Sequence, residues 1–276
     1  MKKLIAIVAI VLVALVYAES HNLFAPQDAS AFEPTFVYPL STTAEAAEES
    51  ANAGLEEIKY LDVETGTYKQ AFTASNGLAV PFTVHIPEGA TADMPVIFWL
   101  HGQGQVGRIL PEDCGVIHQA LSLNEDRFII IQPTAYCGWH VERQFNAIME
   151  LVDYVVSEYQ IDDDRVILTG HSLGSMGVWH FAEQAPNRWA AVIPVSSRCL
   201  TAMDKMLESD TPIWAICSNW DVSDNIRGMK NNAEKLLEAN PDREVRYTVF
   251  ENYSHNDMAE IPYTAEFFDW AAEKHR

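Results

Sequence analysis

The sequence predicts an α/β fold: a mostly parallel central sheet with helices on both faces and an N-terminal antiparallel hairpin. Three observations carry this. Short continuous apolar runs such as VIFWL, FIIIQ and RVILT recur along the chain, and a parallel strand buried on both faces reads this way. Segments of helical period alternate with them, as crossover connections in a parallel sheet require. Ahead of both, residues 68–74 and 80–86 form two alternating stretches split by Ser75-Asn76-Gly77, which is a hairpin pattern.

Each later element follows from its own pattern. Strands are predicted at 96–100 and 128–132, both unbroken and apolar. Residues 141–159 form a helix, because Val141, Phe145, Ile148, Val152, Val155 and Tyr159 recur at helical spacing. The acidic turn Asp162-Asp163-Asp164 then opens a strand at 165–169, followed by a helix ending near Pro186. Further strands are expected at 190–195, 213–216 and 245–250, with helices at 225–239 and 262–274. The stretch 196–212 has room for one helix, so the fold should carry little or no lid.

The chain divides into three. Residues 1–18 pair Lys2 and Lys3 with an apolar run and end in Val16-Tyr17-Ala18, the pattern of a secretory signal peptide, with an uncleaved N-terminal anchor as the alternative. Residues 19–59, rich in Ala, Ser, Thr, Glu and Pro, read as an acidic linker or N-terminal arm. Residues 60–276 form the globular domain, whose motifs read as catalytic. A secreted or periplasmic location, or one on the extracellular surface, is the expectation. The formal net charge of −21 excludes a nucleic-acid partner, whose phosphates it would repel, and disfavours anionic membranes. Oligomeric state is not legible. Export would permit disulfides among Cys114, Cys137, Cys199 and Cys217; three pairings are possible, the most local being Cys114–Cys137 with Cys199–Cys217. No C-x-x-C and no H-E-x-x-H occurs, so no metal site is expected.

The sharpest chemical signal is Thr169-Gly-His-Ser-Leu-Gly-Ser175. It holds G-x-S-x-G between a predicted strand and a predicted helix, the context of a nucleophile elbow. A serine hydroxyl needs a base, and the base needs an orienting acid. In this fold they follow in the order Ser, acid, His. Ser172 is then the nucleophile and His255, after the last strand, the base. Asp221, first after the strand at 213–216, is the acid, with Asp224 as runner-up. The other histidines read as structural: His101 as an orienter of its loop, His171 and His180 as packing or hydrogen-bonding residues, His85 and His118 without pattern.

The stretch Trp99-Leu-His-Gly-Gln-Gly-Gln-Val-Gly107 admits two chemistries. Its G-x-G-x-x-G matches a dinucleotide loop, but Asp126 precedes the next strand rather than ending it, and the stretch follows a hairpin rather than opening a first βαβ unit. It reads better as half of an oxyanion hole, with the backbone N–H of Gln103 facing that of Leu173.

With these residues in place the chain resembles the α/β-hydrolases, specifically the secreted esterase/depolymerase-like group: predicted peptidases, feruloyl esterases and polyhydroxyalkanoate-depolymerase-like esterases. The resemblance runs from about residue 59 to the C-terminus and rests on PVIFWLHGQG, IDDDRVILTGHSLGSMGVWHFAEQAPNRWAAVIPVSS, PIWAICSNWD and YSHND. It departs at Cys217-Ser218, where the group often has His-Gly, and at Asn225, where it often has proline. It implies a serine carboxylic-ester hydrolase working through an acyl-enzyme, without metal or organic cofactor; the short 196–212 stretch leaves the acyl site open, as suits bulky or polymer-attached esters. Trp139, His140 and Trp220 are the expected substrate-binding residues, and Arg198 and Tyr253 also follow strand ends. A serine peptidase of the same fold is the alternative. A secreted binding protein that kept the fold is an alternative from another class, against which an intact Ser172 and His255 argue.

Overall fold

A computed structural model of the chain describes residues 63–111 and 114–276. The signal-peptide and linker readings of 1–18 and 19–59 fall outside the described residues. Eight strands form one sheet: β1 (Gly66–Thr73), β2 (Ala79–Ile86), β3 (Val96–Leu100), β4 (Ile129–Pro133), β5 (Val166–His171), β6 (Ala191–Val195), β7 (Ile213–Ser218) and β8 (Val245–Phe250). Their spatial order is β1-β2-β4-β3-β5-β6-β7-β8. β1 and β2 pair antiparallel, as do β2 and β4; every other pairing is parallel. The hairpin turns at Gly77, whose φ of 74° suits a residue without Cβ.

The helices are α1 (Gly115–Leu123), α2 (Glu142–Glu158), α3 (Leu173–Gln184), α4 (Asp204–Leu207), α5 (Ser223–Ala239) and α6 (Ala265–Ala272). The pleat sends alternate side chains to opposite faces. Val96, Phe98 and Leu100 of β3 join one core with Ile148, Leu151 and Val155 of α2, Val178 and Phe181 of α3, and Met229 and Leu236 of α5. Ile97 and Trp99 join the other, with Val116 and Ile117 of α1 and Phe267 and Phe268 of α6. Burying side chains of this size stabilises the fold by about 1.5–3 kcal/mol each. Trp99 also donates its indole N–H to Tyr263 at 2.7 Å, so the buried donor is satisfied.

Three differences from the sequence expectation have local causes. α1 was not expected. Its apolar stripe is short, Leu121 and Leu123 face outward, and Gly115 at its start looks like a breaker. That glycine has φ 64° and an added Cβ would lie 2.7 Å from the Trp99 ring. β5 runs on to His171, because Gly170 and His171 still pair with Pro194 and Val195 of β6. α6 starts later than residue 262, because Thr264 is the true cap and accepts from the Phe267 N–H. In the 196–212 connection, Lys205 and Met206 donate their backbone N–H groups to Glu183 of α3 at 3.2 and 3.1 Å. Arg243 grips the carbonyls of Met206 and Thr211. The connection is therefore pinned to the flank, and the fold has no lid built from it.

β3, β5 and α3 approach backbone to backbone. An added Cβ at Gly170 would lie 2.7 Å from the Leu100 carbonyl oxygen, and one at Gly174 would overlap that carbonyl outright. Neither neighbour is a flexible side chain that can yield. Gly174→Ala is expected to lower the unfolding free energy by about 3 kcal/mol or more. Gly104→Ala, where no atom lies within 4 Å of the added carbon, should change it by less than about 0.5 kcal/mol. Urea denaturation measures both; a loss below about 1 kcal/mol at Gly174 would show that β3 can move aside.

Candidate active site

Ser172 lies between the end of β5 and the start of α3 with φ 56° and ψ −112°. For a residue with a Cβ this backbone costs on the order of 1–3 kcal/mol and persists only where the surroundings enforce it. Here they do. The Ser172 N–H donates to the Val195 carbonyl at 2.9 Å, and its own carbonyl accepts from Met176 at 3.1 Å. No side chain caps α3, so the first-turn N–H groups, that of Leu173 first, remain available beside the hydroxyl.

Three elements converge on that hydroxyl. Ser172 Oγ donates to His255 Nε2 at 2.8 Å, and His255 Nδ1 donates to Asp221 Oδ1 at 2.9 Å. Ser172 comes from the β5–α3 turn, Asp221 from the turn after β7 and His255 from the loop after β8. The Asp221 side chain is fully buried, whereas that of His255 is 32% exposed. Burial alone would raise the Asp221 pKa. The His255 hydrogen bond, the adjacent Ser196 hydroxyl and the Val222 N–H outweigh it and hold the carboxyl below its ordinary range. The group is an anion that fixes the imidazole proton on Nδ1 and turns the Nε2 lone pair to the serine. Asp224 instead sits on the exposed first turn of α5 and pairs with Arg227 at 2.6 Å.

The Gly102 turn lies against the elbow: an added Cβ there would be 3.5 Å from Ser172 Cβ and 3.3 Å from His171 Nδ1. Gln103 opens a single 3-10 turn, Gln103–Gln105, so its N–H has no carbonyl behind it in that turn. His101 sets the orientation. The Ala135 N–H donates to His101 Nε2 at 3.0 Å, which places the ring proton on Nδ1, and Nδ1 donates to the Gly102 carbonyl at 2.8 Å. Because C=O and N–H are antiparallel across a trans peptide, the Gln103 N–H is turned away from His101. Burial pushes the His101 pKa down to about 4, so the ring is neutral and the arrangement stable. The glycine-rich stretch does not open a helix at its glycines, since α1 begins only at Gly115. A dinucleotide loop needs that helix N-terminus for the pyrophosphate.

Of the expected substrate residues, Trp139 is corrected. It is fully buried, donates its indole N–H to the His101 carbonyl at 3.0 Å and packs edge-on to the His101 ring. An added Cβ at Gly177 would lie 2.6 Å from the Trp139 Cβ, so α3 carries a glycine where this indole sits. Trp139 supports the His101–Gly102 turn from beneath. His140 is exposed, its ring folded over Gly138. Trp220 is 64% exposed beside Asp221, and Arg198 and Tyr253 are each 37% exposed, Arg198 as a side chain. Cys199 bonds to Thr201, and Cys217 lies 3.3 Å from the Tyr247 hydroxyl, so the Cys199–Cys217 pairing is not formed. Among the described residues no group of three His, Cys, Asp or Glu side chains could hold a metal ion, and no helix is long and apolar enough to cross a membrane.

Several residues that support the site had no motif to announce them. Asn225 donates to the Ser196 carbonyl at 2.9 Å and to Asp221 Oδ1 at 3.2 Å. Ser218 Oγ donates to the Tyr253 carbonyl at 2.5 Å and accepts from the Trp220 N–H at 3.2 Å, tying the acid turn to the base loop. These are the two places where the chain departs from the pattern it resembles.

Several known proteins are similar to parts of this chain. The profile of the prolyl oligopeptidase family, Peptidase_S9, matches residues 140–248. A bifunctional acetylxylan esterase/xylanase of Neocallimastix patriciarum is 26% identical over 118 residues, 41% of this chain and 17% of that protein. Poly(3-hydroxyalkanoate) depolymerase C of Paucimonas lemoignei is 26% identical over 146 residues, 46% of this chain and 34% of that one. The chain thus spans well under two thirds of either relative. A thermostable esterase of known structure superposes with a TM-score of 0.65 at 20% identity, over 76% of this chain and 63% of its own. The fold is that of the α/β-hydrolases. Within them the chain resembles the esterase-like members.

The buried histidines around the site make a prediction for stability. His101 and His171 are both held near pKa 4, His171 by burial and by the neighbouring His255, against 6.5 for an unfolded histidine. Between these values the unfolded chain binds more protons, so stability falls as pH drops from 6.5 to 4. The loss is on the order of 3 kcal/mol per histidine. Urea midpoints across that range should fall more steeply in the wild type than in His171→Gln; parallel curves would refute the assignment.

Proposed function

We propose that the chain hydrolyses carboxylic esters through Ser172, His255 and Asp221, with an acyl-enzyme intermediate, and that it acts on bulky or polymer-attached esters. The observation that carries the reading is the unbroken line from Ser172 Oγ through His255 to the Asp221 carboxylate, at 2.8 and 2.9 Å. Ser172 Oγ attacks the ester carbonyl carbon as His255 Nε2 takes its proton. The oxyanion is met by the N–H groups of Leu173 and Gln103. The imidazolium, facing the Asp221 anion, returns the proton to the leaving alcohol as the C–O bond breaks. A water then gives a proton to His255 and attacks the acyl carbon, which releases the acid and regenerates the serine.

The polymer preference is supported by a 196–212 connection that forms no lid, by the exposure of His255 and Trp220, and by relatives named for acetylxylan and polyhydroxyalkanoate. The prolyl oligopeptidase match favours a second reading, a peptidase using the same three residues. A signal peptide at 1–18 would place the enzyme outside the cytoplasm, where such polymers are met.

Hydrolysis of p-nitrophenyl acetate and of an acetylated polysaccharide should be readily measured in the wild type. It should fall at least about 10³-fold in Ser172→Ala. Activity unchanged by that substitution would sink the mechanism. Turnover of a peptide p-nitroanilide but of no ester would select the peptidase. Asp221→Asn should lower kcat about 10³–10⁴-fold, and Asp224→Asn should leave it within about twofold; the reverse result would move the acid to Asp224.

A further inference from the structure

The His171 side chain, inside the G-x-S-x-G turn, is not directed at the reacting atoms and is not simple packing. The ring is buried. Its Nε2 lies 2.7 Å from the backbone carbonyl oxygen of His255, and its plane sits 4.9 Å from the His255 ring at 46°. A carbonyl only accepts, so Nε2 carries the proton and donates. On its other side Nδ1 faces the Gly102 turn. One imidazole therefore touches the nucleophile's turn, the oxyanion turn and the main chain of the base.

The need for such a strap follows from the base loop. His255 stands in a stretch with little burial: residues 251–254 are exposed, as are Asn256 and Asp257. The loop is held before His255 by the Ser218–Tyr253 bond and after it by the buried side chain of Met258 in the short 3-10 turn Asp257–Ala259. The Ser254 and Asp257 side chains bond only within the loop. The His171 donation acts at the residue whose Nε2 must stay in line with Ser172 Oγ.

We propose that His171 is a positioning residue: its Nε2–H holds the His255 main chain so that the imidazole stays aligned between Ser172 and Asp221. This rests on the ester-hydrolase reading above. The ring serves well because it is neutral, kept so by burial and by the positive charge that His255 acquires during turnover. A charged ring beside that imidazolium would oppose the proton transfer it is meant to support. The same position next to the serine gives the strap its leverage, since the donor is rooted one residue from the nucleophile.

The test compares His171→Phe, which keeps a ring but loses the donor, with His171→Gln, which returns an N–H near the Nε2 position. His171→Phe should lower kcat for p-nitrophenyl acetate about 10–100-fold with KM within about twofold, because misplacing a catalytic group by a fraction of an ångström is felt in the chemical step. Fluorophosphonate labelling of Ser172 should slow in parallel, and His171→Gln should restore most of both. In the wild type, ¹⁵N shifts of labelled histidine should show His171 protonated on Nε2 and not on Nδ1. The inference is overturned if His171→Phe retains full kcat, if the Gln variant is as impaired as the Phe variant, or if His171 carries its proton on Nδ1. The ¹⁵N measurement decides even if His171→Phe does not fold. An active wild type separates every one of these failures from failure of the hydrolase reading, which instead predicts no loss on Ser172→Ala.

Discussion

The close approach of the β3 carbonyl at Leu100 to the backbone around Ser172 is the constraint on which the site depends. Gly170 and Gly174 have no Cβ, and at either position a Cβ would run into that carbonyl. Their absence lets β5 turn into α3 without lateral displacement. Ser172 is thereby left in a backbone conformation that a side-chain-bearing residue adopts at a cost. The compensation comes from the two cores that clamp the central strands, Val96, Phe98 and Leu100 on one face and Ile97 and Trp99 on the other. Stability in the sheet and strain at the serine are two ends of one arrangement. The same β3 strand continues into His101 and Gly102, so the Gly102 turn and Ser172 take their positions from one contact.

Because the strands are parallel, their C-terminal ends share one edge, and the loops after β3, β5, β7 and β8 meet there. Residues far apart in sequence are then separated by only two or three strand spacings, β5 to β7 and β5 to β8. This is why Ser172, Asp221 and His255 fall into hydrogen-bond contact although 83 positions separate the first from the last. The loops do not align themselves. Cross-ties do it: Ser218 to Tyr253, Asn225 to Ser196 and Asp221, His171 to His255. Each is a side chain satisfying a neighbour's backbone or carboxylate, so each lowers the entropy the catalytic groups would otherwise keep.

The fold was largely legible in the sequence because its signals are long-range averages. Five apolar residues in a row at β3 and the helical spacing through α2 leave few alternatives. The helix α1 was hidden because its start depends on Gly115 fitting beside the Trp99 ring, a tertiary fact with no local trace. The site was legible in part for the same reason. Ser172 is announced by its turn, and Asp221 and His255 by their order after later strands. Trp139 misled because a tryptophan after a strand has the same sequence signature whether it faces solvent or, as here, lies under the His101–Gly102 turn with its N–H on the His101 carbonyl. Asn225 and Ser218 carry no signature at all, since what they do is set by which loops the sheet brings beside them.

Three histidines stand on the turns that meet at Ser172, and their surroundings differ. His101 and His171 are buried, with backbone hydrogen-bond partners, and burial holds both neutral to about pH 4. His255 is partly open to solvent and faces an anion. A ring whose bonds include a backbone N–H, as His101 has from Ala135, would lose that bond on taking a proton, so it cannot serve as a base without dismantling its own loop. A ring bonded to a carboxylate on one nitrogen and a hydroxyl on the other gains from protonation at the moment the serine attacks. Only His255 of the three is partly open to solvent and bonded to a hydroxyl on one nitrogen and a carboxylate on the other, which is what supports proposing it as the base.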